Sequence, residues 1–322
     1  MKIAVIGSGG TLGSALTRWW NTPAVTLGVP ARDKFTGDKP TDDKISCDKI
    51  SRDEIIGLDL PDFNVGTRRF VLETLGEIAP EVIINCSALR FIDWSESHPN
   101  TARTIHVQGT ANLRQAADRL GSRLVQISCA EVFGDTCFDS PPHREEDIAA
   151  PESVYAKTKL DSERAASEAR DFLIVRTSAL FGDVGEQSAG NIADTILKSS
   201  RRTRSLRVLA DRKISPTYTI DFLRGLRFLL HSGARGIYHL VNSGVTTPAD
   251  FASALLATCG LTRHAVEGIT SEQYGEIAPH SRNLTLSMVK YASLKNALPM
   301  RSWHDALRDF IARRQVPVTD SK

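Results

Sequence analysis

The stretch KIAVIGSGGTLG, residues 2–13, decides the fold. Residues 2–6 are a short β-branched run, which is typical of a parallel strand buried on both faces. Three glycines follow at a spacing that serves, in order, a tight turn, a close approach of the backbone to a pyrophosphate, and the packing of the next helix. These glycines are Gly7, Gly10 and Gly13. The pattern predicts a dinucleotide-binding turn rather than a purely structural one.

The helix after this turn starts at Thr11 and Leu12, whose backbone N–H groups are predicted to face the phosphates. The choice between NAD and NADP depends on the end of the second strand, for which the apolar run at residues 24–29 is the candidate. The first charged side chain after that run is Arg32, which favours the 2′-phosphate of NADP. The alternative is that Arg32 is solvated and that Asp33 binds the ribose of NAD.

Strand-like and helix-like segments alternate through the first half of the chain. This alternation predicts an α/β fold, a Rossmann-type doubly wound parallel sheet with a smaller, mostly C-terminal α/β substrate-binding lobe. The other expected strands are 58–60, 81–86, 123–128, 172–176, 206–209 and 237–240. The other expected helices are 64–79, 99–119, 153–169, 190–200, 218–232, 247–258 and 302–314. We expect an NAD(P)-binding domain at 1–178 plus about 217–245, and a substrate-binding domain at about 179–216 plus 246–322.

The composition is that of an ordinary globular protein. The 322 residues carry 40 Lys+Arg against 38 Asp+Glu, and this near balance excludes a basic scaffold for nucleic acid. No apolar run approaches the ~18 residues of a membrane span, and the first ten residues lack the long apolar region of a signal peptide. Five cysteines without a CxxC pair argue against a disulfide framework or a zinc site. We therefore expect a cytoplasmic protein without a metal, nucleic-acid or membrane partner.

A second motif, YAKTK at residues 155–159, begins one of the expected helices. Tyr155 and Lys159 are four positions apart, so their side chains share one helix face. A nearby ammonium favours the phenolate and lowers the pKa of a tyrosine from its usual ~10. Such a tyrosine is a candidate general acid for a carbonyl oxygen. The alternative, a surface pair, is less favoured because the motif follows a dinucleotide turn in the same chain.

Together these motifs make the chain resemble the extended short-chain dehydrogenase/reductase family, in particular its dTDP-4-dehydrorhamnose reductase branch. The resemblance covers nearly the whole chain and includes PEVIINCSA at 80–88, GTANL at 109–113, VYAKTKL at 154–160, IVRTS at 174–178 and GIYHL at 236–240. It implies hydride transfer from NAD(P)H to the keto carbon of a nucleotide-sugar. In that reaction Tyr155 would protonate the oxygen, and Lys159 would lower the pKa of Tyr155 and bind the nicotinamide ribose.

Open α/β sheets bind ligands at the carboxyl ends of their strands. Four residues expected at such ends are predicted to contact the cofactor besides Lys159: Asp59, Leu60, Ser87 and Ala88. The predicted substrate contacts are Arg90, Ser128, Ala179, Asn191, Thr217 and Tyr218. The expected partner is a small molecule, a nucleotide-sugar. The oligomeric state is left open, with a homodimer as one alternative.

Cys129 stands where the family has a Ser or Thr that donates a hydrogen bond to the substrate carbonyl, and it is our third catalytic candidate. A thiol is a weaker and longer donor than a hydroxyl. The adjacent Ser128 does not simply replace it, because neighbouring side chains of an extended segment point to opposite faces. Two interpretations stay open: a modified reaction, or a substitution that is tolerated because Tyr155 carries most of the acid chemistry.

Three further departures from the family lie near the expected substrate site. Arg90 stands where the branch has a small hydroxyl residue, Ala179 where it has Trp, and His106 where it has Asn. A cation at position 90 suits a carboxylate or phosphate of a substrate. Alternatively, Arg90 pairs with Asp93 or Glu96 on the surface. The departures put the specific rhamnose precursor in question without affecting the reductase scaffold.

The leading functional hypothesis is NAD(P)H-dependent reduction of a keto group on a nucleotide-sugar or a related polar metabolite. An epimerase or dehydratase that recycles bound NAD is the enzymatic alternative. It is disfavoured because only Glu131 of the Asp-Glu pair of dehydratases is present, with Ala130 in the other position. A non-catalytic regulatory subunit that binds the cofactor is the third hypothesis; Cys129 favours it, and the intact Tyr155 and Lys159 oppose it.

Overall fold

The computed structural model describes residues 1–22, 53–89, 91–183 and 190–314. Its strands are β1 (Lys2–Ile6), β2 (Glu54–Leu58), β3 (Val82–Asn85), β4 (Arg123–Cys129), β5 (Phe172–Thr177), β6 (Leu180–Phe181), β7 (Ser205–Leu209), β8 (Lys213–Ile214), β9 (Thr217–Tyr218), β10 (Gly236–His239), β11 (Ala265–Ile269) and β12 (Asn283–Leu284). Six of them form one parallel sheet in the order β10-β5-β4-β3-β1-β2. This arrangement confirms the predicted Rossmann-type doubly wound sheet.

Helices cover both faces of this sheet. The α-helices of the described residues are α1 (Thr11–Trp19), α2 (Arg68–Ile78), α3 (Ile92–Ser97), α4 (Pro99–Arg103), α5 (Gly109–Leu120), α6 (Val154–Ser167), α7 (Ile192–Ser200), α8 (Thr219–His231), α9 (Pro248–Thr258), α10 (Ser271–Tyr274), α11 (Val289–Ala292) and α12 (Trp303–Arg314). Alternate residues of β1 point to opposite faces, so Ile3 and Val5 pack against α1 and α8 while Ala4 and Ile6 pack against α2 and α5. Among the described helices, none is both long and apolar enough to cross a lipid bilayer.

Strand β2 lies directly beside β1, with Lys2 opposite Glu54 and Ile6 opposite Leu58. The sequence predicted the strand at 24–29 for the second position, and that segment lies outside the described residues, as does Arg32. The predicted strand at 58–60 is wrong in its bounds. The observed strand starts four residues earlier and ends at Leu58, because Asp59 then leaves the sheet to accept a hydrogen bond from the Gly9 amide.

A second apolar core lies in the later part of the chain, among α7, α9, α12 and the short strand pairs β6-β9 and β7-β11. Helix α8 connects the two cores, since Ile220 belongs to the second core and Phe222 to the sheet core. The division of the chain into two domains with the bounds given above stays a prediction.

The predicted helix at 99–119 is interrupted. Helix α4 runs into a π-helical turn at Thr104–Gln108, and α5 begins at Gly109. Single π-turns inside helices often mark functional positions, because they shift the following side chains by one residue. Here the turn carries His106, which is almost completely buried and points toward the start of α6.

Candidate active site

The glycine turn connects β1 to α1 and leaves its backbone uncovered. Gly7 has a φ of +78°, and a Cβ on it would lie 2.8 Å from the Ser87 amide nitrogen. A Cβ on Gly13 would overlap the carbonyl oxygen of Gly7, so this position is required for the helix to pack against the turn. A Cβ on Gly10 would meet the protein only at van der Waals distance, 3.4 Å from the Gly7 oxygen. The protein itself does not require glycine at position 10, which fits the close approach of a dinucleotide there.

Asp59 lies at the carboxyl end of β2, beside the glycine turn. Its carboxylate accepts hydrogen bonds from the Gly9 amide at 2.6 Å and from the Leu60 amide at 2.9 Å. In Rossmann folds a carboxylate at the end of the second strand bonds the ribose hydroxyls of the cofactor. Within the described part of the chain, Asp59 therefore lies at the end of the strand beside β1. The sequence prediction had assigned this position in the fold to the region of Arg32.

The end of β3 is held by a buried amide network. The Asn85 side chain donates to Gln126 at 2.8 Å and to Thr110 at 3.1 Å. Its oxygen accepts from the Ser87 hydroxyl at 2.5 Å and from the Ser87 amide at 3.1 Å. The network fixes the backbone at Ser87 and Ala88, two predicted cofactor contacts, against the glycine turn. Both the amide nitrogen and the oxygen of Asn85 thus bond to protein groups, and the side chain holds the end of β3 in place.

The His106 ring connects the chain after β3 to α6. The Leu89 amide donates to Nε2 at 2.9 Å, and Nδ1 lies 2.8 Å from the Thr158 hydroxyl oxygen. The ring meets that of Tyr155 edge-on, with centroids 5.6 Å apart. Burial, with a smaller contribution from the Lys159 charge, lowers the pKa of His106 to about 3. The ring is therefore a neutral structural group near Tyr155.

Tyr155, Lys159 and Cys129 lie together at the end of β4. Helix α6 starts one residue before Tyr155 and is capped by Ser153, whose hydroxyl oxygen accepts a bond from the Ala156 amide. The Tyr155 hydroxyl and the Cys129 thiol lie beside each other, close enough for each group to influence the pKa of the other. The Lys159 ammonium is buried and donates to the Ile127 carbonyl at 2.7 Å.

The electrostatics of this group differ from the sequence prediction. Burial raises the pKa of Tyr155 well above its usual value, and the neighbouring Cys129 and Glu131 raise it further. Burial lowers the pKa of Lys159. The expected lowering of the tyrosine pKa by Lys159 is outweighed, because desolvation favours the neutral phenol. Tyr155 therefore keeps its proton, as a general acid requires.

Burial also raises the pKa of the Cys129 thiol to about 11, and the Glu131 charge contributes in the same direction. The thiol is thus neutral and able to donate or accept one hydrogen bond. The role of the family's Ser or Thr stays a prediction for this thiol. A thiol differs from the hydroxyl of Ser or Thr in being a weaker hydrogen-bond donor.

A segment of the later chain, residues 277–281, is bonded to two carboxylates beside the site; we call it the strap. Asp93 accepts from the Ile277 and Ala278 amides at 3.3 and 2.9 Å. Glu131 accepts from the Ser281 hydroxyl at 3.0 Å. Glu131 is buried, and burial raises its pKa. A contact partner 150 residues away leaves no local pattern in the sequence that would have revealed it.

The predicted substrate contacts are not all brought to Tyr155. Ser128, Thr217 and Tyr218 are buried, and Tyr218 stacks on Phe181 and meets Phe310 edge-on in the second core. The contact of these three side chains with a substrate stays a prediction. Arg90 lies outside the described residues.

Two other predicted contacts, Ala179 and Asn191, are partly exposed. Ala179 has a φ of 40°, and its carbonyl accepts from the Thr217 amide. Asn191 caps α7, accepting from the Asp194 amide at 3.2 Å and donating to the Gly182 carbonyl at 2.7 Å. Both shape the backbone after β5, and their contact with a substrate stays a prediction.

Comparison with known proteins gives one consistent result. The family model described as RmlD substrate binding domain matches residues 1–316. The spore coat polysaccharide biosynthesis protein SpsK of Bacillus subtilis is 31% identical over 263 residues, which cover 81% of this chain and 89% of that protein. A dTDP-4-dehydrorhamnose reductase of Mycobacterium tuberculosis is 32% identical over 237 residues, 72% of this chain and 76% of its own length.

The fold agrees with a solved structure as well. The crystal structure of a dTDP-4-dehydrorhamnose reductase from Clostridium acetobutylicum superposes with a TM-score of 0.82 at 26% identity, covering 98% of this chain and all of that one. The glycine turn, the Tyr155–Lys159 pair and the parallel sheet occur together in a chain matched almost from end to end. The chain belongs to the RmlD substrate-binding-domain family, within the extended short-chain dehydrogenase/reductases.

Proposed function

We propose that this protein is an NADP(H)-dependent reductase of the keto group of a dTDP-linked 4-keto sugar, with NAD(H) as an alternative cofactor. The dTDP-4-dehydrorhamnose reductases among its relatives support the reaction class and the substrate class. The observation that carries the proposal is the protonated Tyr155 phenol beside the Cys129 thiol, with Lys159 one turn away on the same helix. A protonated phenol at the carboxyl end of a Rossmann sheet is what carbonyl reduction needs.

When bound, the reduced nicotinamide supplies the hydride that adds to the carbonyl carbon. Tyr155 gives its proton to the carbonyl oxygen, so the products are an alcohol, the oxidised cofactor and a phenolate. The Lys159 ammonium, on the same helix face, stabilises that phenolate. Cys129 holds the tyrosine hydroxyl and takes the place of the second hydrogen-bond donor.

The glycine turn and the end of β3 form the binding side for the dinucleotide. Gly10 leaves room for the pyrophosphate, and α1 begins there, so the positive end of its dipole faces this space. Asp59 holds the second-strand position that bonds a ribose hydroxyl. Ser87 and Ala88 border this turn through their backbone. The catalytic and cofactor roles of all these residues are part of the proposal.

The partner is a small molecule, a nucleotide-sugar, and a homodimer is compatible with this function. A cytoplasmic setting fits a reductase that draws on a free nicotinamide cofactor. The two-domain division belongs to the same proposal: a cofactor domain at 1–178 plus about 217–245 and a substrate domain made from the rest.

The test is an assay of the purified protein with NADPH or NADH and dTDP-4-dehydrorhamnose, with related 4-keto sugars as comparison. We expect loss of the reduced-cofactor absorbance together with a product that carries two additional hydrogens. Tyr155→Phe should lower the rate by about 100-fold or more, while Tyr274→Phe, at an exposed tyrosine, should keep it. An active Tyr155→Phe variant would contradict the acid role. Water loss from a dTDP-hexose with retained NAD would identify a dehydratase instead.

A further inference from the structure

We propose that His106 is a positioning residue, which holds Tyr155 and the chain at Ser87–Leu89 in one fixed relation through a neutral ring of a single tautomer. The proposal rests on the proposed reductase function for its kinetic consequence. Its structural part, the tautomer and its two bonds, is independent of any substrate.

The hydrogen bonds define the tautomer. The Leu89 amide is a donor only, so the Nε2 that lies 2.9 Å from it must be the unprotonated nitrogen of the ring. Nδ1 therefore carries the proton and donates to the Thr158 hydroxyl oxygen at 2.8 Å. The Thr158 hydroxyl in turn donates a hydrogen bond to the backbone carbonyl of Val154 or Tyr155, each at 2.9 Å. The bonds run in one direction, from Leu89 to the first turn of α6.

These bonds connect two parts of the candidate site. Leu89 follows Ser87 and Ala88, which border the glycine turn. Thr158 lies three residues after Tyr155, and its hydroxyl bonds the backbone of Tyr155 itself. The edge of the His106 ring also packs against the Tyr155 ring. One side chain therefore holds both the tyrosine and the chain expected to contact the cofactor.

The surroundings keep the ring neutral. His106 is 1% exposed, in the π-turn that brings it opposite Thr158. The charged group that acts on it is Lys159, whose ammonium disfavours a second positive charge, and the Tyr155 phenol beside it is neutral. A protonated ring would also oppose its Nε2–H to the Leu89 N–H. We therefore assign His106 no role as a proton carrier.

A pair of matched variants at Thr158, the hydrogen-bond partner of His106, distinguishes a positioning role of His106 from a merely structural one. Thr158→Val keeps the shape of the side chain and removes the hydroxyl, whereas Thr158→Ser keeps the hydroxyl. We expect Thr158→Val to lower kcat by about 10-fold, with Thr158→Ser restoring most of that loss. His106→Phe, which keeps a ring but no hydrogen bonds, should lower kcat by about 100-fold, the scale of a small misplacement of a reacting group. It should also raise the KM for NADPH through the chain at Leu89.

The double variant tests whether the two residues act through one bond. His106→Phe with Thr158→Val should be no slower than His106→Phe alone, because the second change removes a bond that is already lost. Wild-type enzyme and Thr158→Ser should have the same pH profile of kcat. Losses that multiply, equal losses in Thr158→Val and Thr158→Ser, or a His106→Phe variant with unchanged kcat would each overturn the proposal.

A measurement without substrate separates this proposal from the proposed function. In a ¹⁵N-labelled protein the His106 ring should keep a protonated Nδ1 and a bare Nε2 between about pH 5 and 8, on either side of the usual histidine value. A ring that titrates in this range, or that carries its proton on Nε2, would overturn the assignment. If the tautomer is found but no keto sugar is reduced, the reductase function fails and the His106 geometry stands.

Discussion

The thiol of Cys129 lies beside the hydroxyl of Tyr155, so the residue that departs from the family pattern is next to the residue proposed to give the proton. Both groups are neutral, because burial raises the pKa of each. A neutral thiol next to a neutral phenol leaves the phenol able to donate to a third group. The departure therefore weakens one hydrogen bond of the site without removing a contact.

Replacing Cys129 by serine should keep or increase the rate. A hydroxyl is a stronger and shorter donor than a thiol, and the side chains are close in volume. We expect kcat of Cys129→Ser to equal or exceed that of the wild type, and Cys129→Ala to be about 10-fold slower, near the value of one lost hydrogen bond to a reacting group. Steady-state kinetics with saturating NADPH measures both. A large loss in Cys129→Ser would mean that the thiol has a task of its own.

The cofactor preference should depend on Asp59. A carboxylate at this position bonds the 2′-hydroxyl of NADH, the alternative cofactor, and is less favourable beside the 2′-phosphate of NADPH. Asp59→Asn should therefore shift the ratio of kcat/KM values toward NADPH by about 10-fold, through a loss with NADH. The exposed carboxylate of Asp62 provides the control, since Asp62→Asn should leave the ratio unchanged. An unchanged ratio of kcat/KM values in Asp59→Asn would mean that Asp59 serves only to bond the Gly9 and Leu60 amides and does not select the cofactor.

A methyl group on Gly13 should abolish dinucleotide binding. It would overlap the Gly7 carbonyl, so α1 would have to move away from the turn whose N–H groups face the pyrophosphate. We expect the Gly13→Ala variant to bind NADPH at least 100-fold more weakly in a fluorescence titration. In helix α2, a Cβ on Gly76 would meet no atom within 4 Å. Gly76→Ala should stabilise the fold by about 0.5–1 kcal/mol and leave NADPH binding intact.

The stability of the protein should decrease in mild acid because of His239. Burial, aided by the Arg176 charge, lowers the pKa of His239 to about 3. Between this value and the usual ~6.5 the unfolded chain binds a proton that the folded chain does not, so the free energy of unfolding falls as the pH falls. The loss from this one ring amounts to at most about 1.4 kcal/mol per pH unit in that window.

The measurement is urea unfolding at several values between about pH 4 and 7, across the range in which histidine titrates. His239→Phe should lose part of the pH dependence even if its stability at neutral pH is lower. His231→Phe, at an exposed position, is the matched control and should keep the slope of the wild type. Equal slopes for the wild type and His239→Phe would show that other groups cause the acid sensitivity.

The parallel sheet, the glycine turn and the nearness of Tyr155 to Lys159 could be predicted because each is written in local spacing. The order of the strands in the sheet, in contrast, could not be predicted from local spacing. The run at 24–29 is as strand-like as β2, and only the pairing of Lys2 with Glu54 shows which segment lies beside β1. Such a choice is made by long-range contacts, which periodicity does not record.

Long-range contacts also explain why the observed site differs from the predicted one. His106 binds Leu89 and Thr158, which are 17 and 52 positions away along the chain. Tyr218 reads as a polar residue near the expected substrate, but the core around Phe181 buries it. A buried polar side chain acquires its role from the groups that satisfy it, and these come from distant segments.

The strap has a consequence for how tightly a substrate is held. Its amides and the Ser281 hydroxyl satisfy Asp93 and Glu131, so these carboxylates are already occupied beside Tyr155. A ligand that arrives from this side must exchange bonds that the protein makes to itself. Part of its interaction free energy is then used in opening the strap, and the apparent affinity equals the intrinsic affinity multiplied by the fraction of molecules in which the strap is open. Release of the product is helped by the same competition, since the strap re-forms as the product leaves.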